Sequence, residues 1–333
     1  MVHLRIVAPE DLANKALELL CGEDSVVNVV YLRGAARKPN GDVILCDVAR
    51  EDASVIIGDL KELDIPAQGS IAIEELDSAI SDAFEEAEKA APGLPSDAVV
   101  WEEVEARTSE QTELSVSFVA FMVLSMQIAA VGLVLDQPIL IVGAMVVGPE
   151  FGPLAGISVA IVHLRAKLAW RSLAALAVGF PVGIAGALVT TLFLDAVGAF
   201  PGDLSEDRPL TEFVSSPDIL SLVVAVVAGA AGVLSLTSAK SGALIGVLIS
   251  VTTIPAASNI GVAAAYGEWG DAGGAAGQLT LNLAGIVASG LVTLYIQRRF
   301  YVMRRRKHLR DPARTAAGLP LGRSKRSLGS SRH

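Results

Sequence analysis

The chain has 333 residues, 52% of them hydrophobic, and a formal net charge of −10. The charge is split: Met1–Glu113 holds 25 acidic and 9 basic residues, and Arg298–His333 holds 12 Arg/Lys against one acid, Asp311. Long apolar runs with few charges lie between, which excludes a uniformly soluble chain and leaves the net value uninformative about partners. Two cysteines, Cys21 and Cys46, give neither a disulfide framework nor metal spacing. They fit neutral packing in a reducing compartment. The first residues, MVHLRIVAPEDL, lack a basic stretch followed by an apolar one, so no cleaved signal peptide is expected.

Residues 1–95 have the pattern of a small α+β domain. Leu4–Val7 predicts a strand. Glu10–Cys21 carries Leu12, Ala16, Leu19 and Leu20 at helical spacing, with Pro9 and Asp11 suiting its start and Gly22 its end. Val26–Leu32 is apolar and β-branched, Lys38–Asp42 is turn chemistry, and Val43–Val48 is the returning strand. Ala53–Leu63 reads as a second helix and Ser70–Leu76 as a fourth strand. The order β-α-β-β-α-β is that of a ferredoxin-like sandwich, a fold that by itself implies no activity. Arg33, Arg37 and Lys38 gather at the hairpin tip, where they either receive a regulatory anion or are simply solvated. Ser78–Ala90 predicts an acidic helix closed by the Pro/Gly run after it. Residues 96–113 form an acidic connector, whose Trp101 is either an interfacial anchor or packed in a fifth edge element.

Residues 114–297 predict an α-helical polytopic membrane domain of six spans: Val116–Leu135, Pro138–Val162, Leu168–Val197, Ile219–Leu236, Ser241–Tyr266 and Ala275–Ile296. A spanning helix needs ~20 apolar residues. Phe200–Pro217 reads as a polar loop and Gly267–Gly274 as an acidic, Gly-rich one. Arg165 with Lys167, Lys240, and Arg298 onward fall on one side of the bilayer, and the acidic turns on the other. Basic loops face the cytoplasm. Both termini are therefore expected there, in a multi-pass protein of a prokaryotic inner (plasma) membrane.

The second span, PILIVGAMVVGPEFGPLAGISVAIV, is interrupted by Gly148, Pro149, Glu150, Gly152 and Pro153. Proline removes a backbone donor and crowds the preceding turn. A carboxylate at mid-membrane depth is costly and usually functional. Backbone left unpaired there must be buried in protein or line a wet cavity. The fifth span has its own polar break at Thr252-Thr253-Ile254-Pro255. Aligning Val142–Val147 with Ile245–Ser250 brings the two breaks nearly into coincidence. That is either a 3+3 inverted repeat, whose interrupted helices mark a midplane site, or a chance likeness of two apolar runs. The expected substrate-binding residues are Gly148, Pro149, Glu150 and Pro153 with Thr252, Thr253, Ser258 and Asn259. Gln127 and Asn282 are expected to face the same cavity. A carboxylate suits a cation or proton, free helix N–H groups an anion. The rival reading is packing alone, since Gly148, Gly152 and Gly156 recur at the spacing that lets helices approach closely.

The runs VGAMVVGPEFGPLAG, VLSMQIAAVGLVLDQPILIVGAM and LRGAARKPNGDVILCDVARE resemble the DUF389 family of prokaryotic hydrophobic proteins, over about Leu4 to Arg299. The resemblance implies a soluble N-terminal domain followed by a multi-span domain, and assigns no chemistry. It carries the broken backbone over to positions 148–153 but not Glu150, where many members have an apolar residue.

In the tail, residues 298–333, seven Arg/Lys between Arg298 and Arg310 follow directly on a span. Arg304, Arg305, Arg306 and Lys307 are expected either to bind anionic lipid headgroups or to dock onto the chain's own acidic domain. Beyond Pro312 the Gly/Ser/Arg composition reads as disorder. No phosphate-cradling loop, paired catalytic carboxylates or nucleophile–base pair is present. An enzyme, a cofactor, a metal and a nucleic-acid partner are therefore not expected. The reading that follows is a transporter or channel for a small polar solute or ion, regulated by the soluble domain and assembled as a homo-oligomer. Its rival is a membrane-anchored ligand sensor or scaffold.

Overall fold

The computed structural model describes residues 1–76, 81–91, 93, 98–200, 210–211, 214, 218–238 and 252–324. They form two compact units. One comprises Met1–Val104, Thr237 with Ser238, and residues 297–324; the other comprises Glu105–Leu236 and residues 252–296.

The first unit is built on an antiparallel sheet of β1 (Val2–Ala8), β2 (Val26–Arg37), β3 (Asn40–Val48) and β4 (Ser70–Glu75), in the order β2-β3-β1-β4. Alternation fixes its register. Val2, Leu4 and Ile6 of β1 stand opposite Val48, Cys46 and Ile44 of β3, and all six are buried. A one-residue slip would turn this whole set to the opposite face. Helices α1 (Glu10–Cys21) and α2 (Arg50–Glu62) cover that face with Leu12, Ala16, Leu19 and Leu20, and with Ala53, Ile56, Ile57 and Leu60. The single turn α3 (Ile65–Gln68) leads into β4, and α4 (Asp82–Ala90) follows. Cys46 sits in this core as expected, whereas Cys21 is exposed.

The boundary drawn at residue 95 falls short. Val100 belongs to the same core, and helix α5 (Trp101–Gln111) starts in this unit. Trp101 is 5% exposed, and its ring meets that of Tyr301 edge-on at 6.2 Å. It is thus a packed residue and not an interfacial anchor. The expectation of disorder beyond Pro312 is likewise corrected for the described residues. Ala317 and Leu319 complete the hydrophobic core, and Arg314 is wholly buried against Asp59 and Glu62.

Glu23, in the turn between α1 and β2, lies beside this tail, with His308 Nε2 3.7 Å from its carboxylate. Burial, reinforced by Asp311, Asp52 and Asp24, pushes the Glu23 carboxyl up from 4.5 to about 7, with His308 opposing. The folded form thus keeps a proton that the unfolded form has lost. That stability is present below the ordinary value and disappears as pH rises through about 7. Between about pH 5 and about pH 8, Glu23→Gln is expected to flatten the fall of the unfolding temperature relative to the parent protein. Parallel curves in a pH-resolved thermal scan would remove Glu23 from the account.

The second unit is helical: α6 (Val116–Val134), α7 (Pro138–Val147), α8 (Phe151–His163), α9 (Ala166–Ala196), α10 (Ile219–Thr237), α11 (Thr253–Tyr266) and α12 (Trp269–His308), the last running on into the first unit, where α13 (Ala313–Ala316) also lies. Among the described residues, α6, α9, α10 and α12 are each long and apolar enough to cross a membrane. The pair α7 and α8, bent by 49°, makes a fifth span if counted as one. The expected fifth segment lies partly outside the described residues, and its stretch Ile245–Ser250, aligned with Val142–Val147, lies wholly outside them, as does Lys240. The Gly-rich stretch expected as a loop is helical from Trp269 on, so the ~1 kcal/mol helical cost of each glycine is outweighed there.

Small residues set the packing of α6, α8, α9 and α11. A Cβ at Gly261 of α11 would lie 2.6 Å from the Ile184 carbonyl oxygen and 2.9 Å from the Leu188 nitrogen, both main-chain atoms of α9. Neither can swing aside, so Gly261→Ala is expected to destabilise this unit by about 1–3 kcal/mol. Gly143→Ala, where nothing lies within 4 Å, is expected to be neutral or slightly stabilising. Thermal unfolding in detergent checks both, and equal midpoints for the two variants would deny the backbone contact.

Candidate functional site

The break in the second span is local in cause. The Gly148 N–H still bonds to the Ala144 carbonyl, closing α7, and Glu150 then stands at the N-cap of α8. Pro153 is the third residue of α8. Thr252 caps α11, and Pro255 is that helix's third residue. Proline is tolerated in a first turn because the N–H groups there have no intrahelical partner.

These two beginnings meet. Thr253 Oγ1 donates to Glu150 Oε1 at 2.6 Å. A Cβ on Gly148 would lie 2.6 Å from Ile254 Cγ1, so glycine is what allows the approach. Asn282 Nδ2, from α12, donates to Thr252 Oγ1 at 2.8 Å, and Gln278 Nε2 donates to Asn282 Oδ1 at 3.3 Å. Glu150, Thr253, Asn259, Gln278 and Asn282 are each at most 2% exposed. Three acceptor oxygens, Glu150 Oε2, Asn259 Oδ1 and Gln278 Oε1, have no hydrogen-bond partner. A buried acceptor without a donor costs about 1–3 kcal/mol, so a retained set of three needs a reason. Two helix N-termini add partial positive charge beside the carboxylate.

The structure therefore joins Gly148, Glu150, Thr252, Thr253 and Asn282. Pro149 and Pro153 belong to the same break as backbone residues. Ser258 is near in sequence but donates to the Met126 carbonyl of α6 at 2.7 Å, tying α11 to α6. Gln127 is not part of the cluster. Its Nε2 donates to Thr190 Oγ1 at 2.9 Å, and it lines an apolar groove of about 470 Å³ with Val131, Val189 and Phe193. Gln278 was not singled out from sequence. The signal was there: Gln278 and Asn282 are four apart, hence on one face of an otherwise apolar helix.

The other expected sites lie in the first unit. Arg33 is exposed and pairs with Glu10, and Arg37 and Lys38 are exposed along the same hairpin. Arg304 donates to the Glu51 carbonyl. Arg305 pairs with Asp59 and with Glu62, the latter at 3.0 Å, and Arg306 and Lys307 are exposed. Half of the basic run expected to meet lipid or the acidic domain is thus engaged with the acidic domain. Glu23, His308 and Asp311 form the one group with metal-ligand atoms within 4.8 Å of each other among the described residues. There His308 Nε2 is hydrogen-bonded to Asp59 Oδ2 at 2.9 Å.

A family model described as Domain of unknown function (DUF389) matches residues 145–288. An uncharacterized protein of Methanocaldococcus jannaschii is 26% identical over 220 residues, 66% of this chain and 65% of that relative, so the match spans less than two thirds of the relative's length. No solved structure matches. The matched segment contains the break, Glu150, Thr253 and Asn282, and its similarity to the DUF389 model agrees with the resemblance of the sequence.

Proposed function

We infer that the second unit is a transporter or channel for a small polar solute or ion, and that the Glu150–Thr253 junction is its binding site in an occluded state. One observation carries this reading: two helices start face to face around a carboxylate, in a polar cluster that leaves the acceptor oxygens Glu150 Oε2 and Gln278 Oε1 unpartnered. Broken helices whose ends meet inside a bundle are how membrane transporters present backbone and side-chain ligands to a solute. The common pattern of N-cap, two residues and proline at Glu150–Pro153 and Thr252–Pro255 supports an inverted repeat within six spans. The strand order β2-β3-β1-β4 supports the ferredoxin-like reading of the first unit, to which we assign regulation. Basic loops favour cytoplasmic termini in a prokaryotic plasma membrane. Exposed apolar side chains such as Val116, Ile139 and Val189 favour contact with lipid or a second copy. Purified protein in proteoliposomes should carry flux of at least one member of a panel of ions and small polar solutes. Intact protein inactive across that panel would overturn the reading.

A second reading, a membrane-anchored sensor or scaffold, is favoured by the near-complete burial of the same cluster. It predicts no flux, and solvent protection at the break under every condition.

A further inference from the structure

The first unit contains a cavity of about 640 Å³ that the membrane reading does not use. Glu51, Ala98 and Trp101 of its lining are buried. Glu51 is 5% exposed, and neither of its carboxylate oxygens has a hydrogen-bond partner. Tyr301, Phe300, Arg304 and the exposed Lys307 also line the cavity, with Arg304 donating to the Glu51 main-chain carbonyl. Gln297 adds a third unpartnered buried acceptor oxygen, Oε1, while its Nε2 donates to Thr237.

The lining of this cavity carries groups that ask for both charges. A buried carboxylate without donors is costly, and the missing partner is a donor, best a cation that also lies against the Trp101 ring. Arg304 and Lys307 supply a guanidinium and an ammonium, which suit an anion. The rest of the lining is mostly apolar, and the volume falls in the range of small-molecule sites. We propose that this cavity binds a small amphoteric molecule of the free amino-acid class, its ammonium at Glu51 and Gln297, its apolar body along Trp101 and Phe300, and its carboxylate at Arg304 and Lys307. The proposal is independent of solute passage through the other unit.

The same ammonium–anion pair occurs on an ethanolamine phospholipid headgroup, and the experiment separates the two sources. Delipidated full-length protein in detergent is titrated calorimetrically with the standard amino acids. The tightest binder is then repeated as its N-acetyl and its decarboxylated form. Each truncation should weaken binding at least about tenfold, the usual consequence of losing a charge-assisted bond. Glu51→Gln should weaken the amino acid similarly and leave the N-acetyl form unaffected. Lys307→Ala, a change at an exposed site, should weaken the amino acid and leave the decarboxylated form unaffected. Unaltered thermal unfolding of both variants confirms that each is folded. If no amino acid binds, nanodiscs with ethanolamine or choline headgroups are compared. A higher unfolding temperature in ethanolamine lipid, lost in Glu51→Gln, assigns the cavity to the headgroup. No binding in either arm, or N-acetyl and decarboxylated forms that bind as well as the parent, overturns the proposal.

Discussion

Arg314→Ala is expected to lower the stability of the first unit by about 3–5 kcal/mol, the cost of leaving a buried charge without its partner. Arg314 is 0% exposed, and so is Asp59, with which it pairs; its second partner, Glu62, is 3.0 Å away and 5% exposed. Arg305 reaches the same two carboxylates, so the loss is partial and belongs at the lower end of that range. The expected partner experiment is Asp59→Asn with Arg314→Met. It removes both charges and should recover most of the loss, because a buried pair is often worth no more than apolar packing. Arg306→Ala, at an exposed position, should stay within about 0.5 kcal/mol of the parent. Thermal unfolding and amide exchange along α2 measure all three. If Arg314→Ala unfolds at the parent's temperature, the tail does not complete this core.

That tail was the least legible part of the chain. Local composition from Pro312 on is that of a solvated segment, and Ala317 and Leu319 are too few and too far apart to show a period. Their burial is in a core built by residues more than 200 positions earlier, which no window-based reading contains. The charge division was legible: an acidic domain and a basic tail in one chain made docking one of the two expectations for Arg304 to Lys307. The sheet was legible because polar and apolar residues alternate from Val2 to Ile6 and turn residues at Lys38–Asp42 set off β3, and α1 was read to its end residues because Pro9 and Gly22 bracket it. For the membrane unit, proline and glycine placed the break, and Thr253 was named from its polarity inside an apolar run. Gln127 was misassigned on the same polarity. An isolated amide in a span has no direction in sequence, and its bond to Thr190 turns it to another face.

The same polarity argument makes Glu150 the position with the largest expected functional effect. Glu150→Gln keeps the shape of the side chain and its acceptor for Thr253 Oγ1 while replacing the free oxygen or adding donors beside Gly148. If the carboxylate holds a cation or proton in transit, flux through proteoliposomes should fall at least about tenfold or lose its pH dependence, since a charge-assisted contact is worth about 1.5–3 kcal/mol. Thr253→Val is the paired test. It deletes the donor that orients Glu150 while keeping side-chain volume, and should lower flux less than Glu150→Gln does. Asn282→Leu should disturb the cluster from the α12 side, through Thr252. An unchanged rate and an unchanged pH profile for Glu150→Gln, in protein that unfolds at the parent's temperature, would reduce Glu150 to a packing residue. The meeting of α8 and α11 would then be a joint that closes the membrane unit, and the sensor or scaffold reading would take precedence.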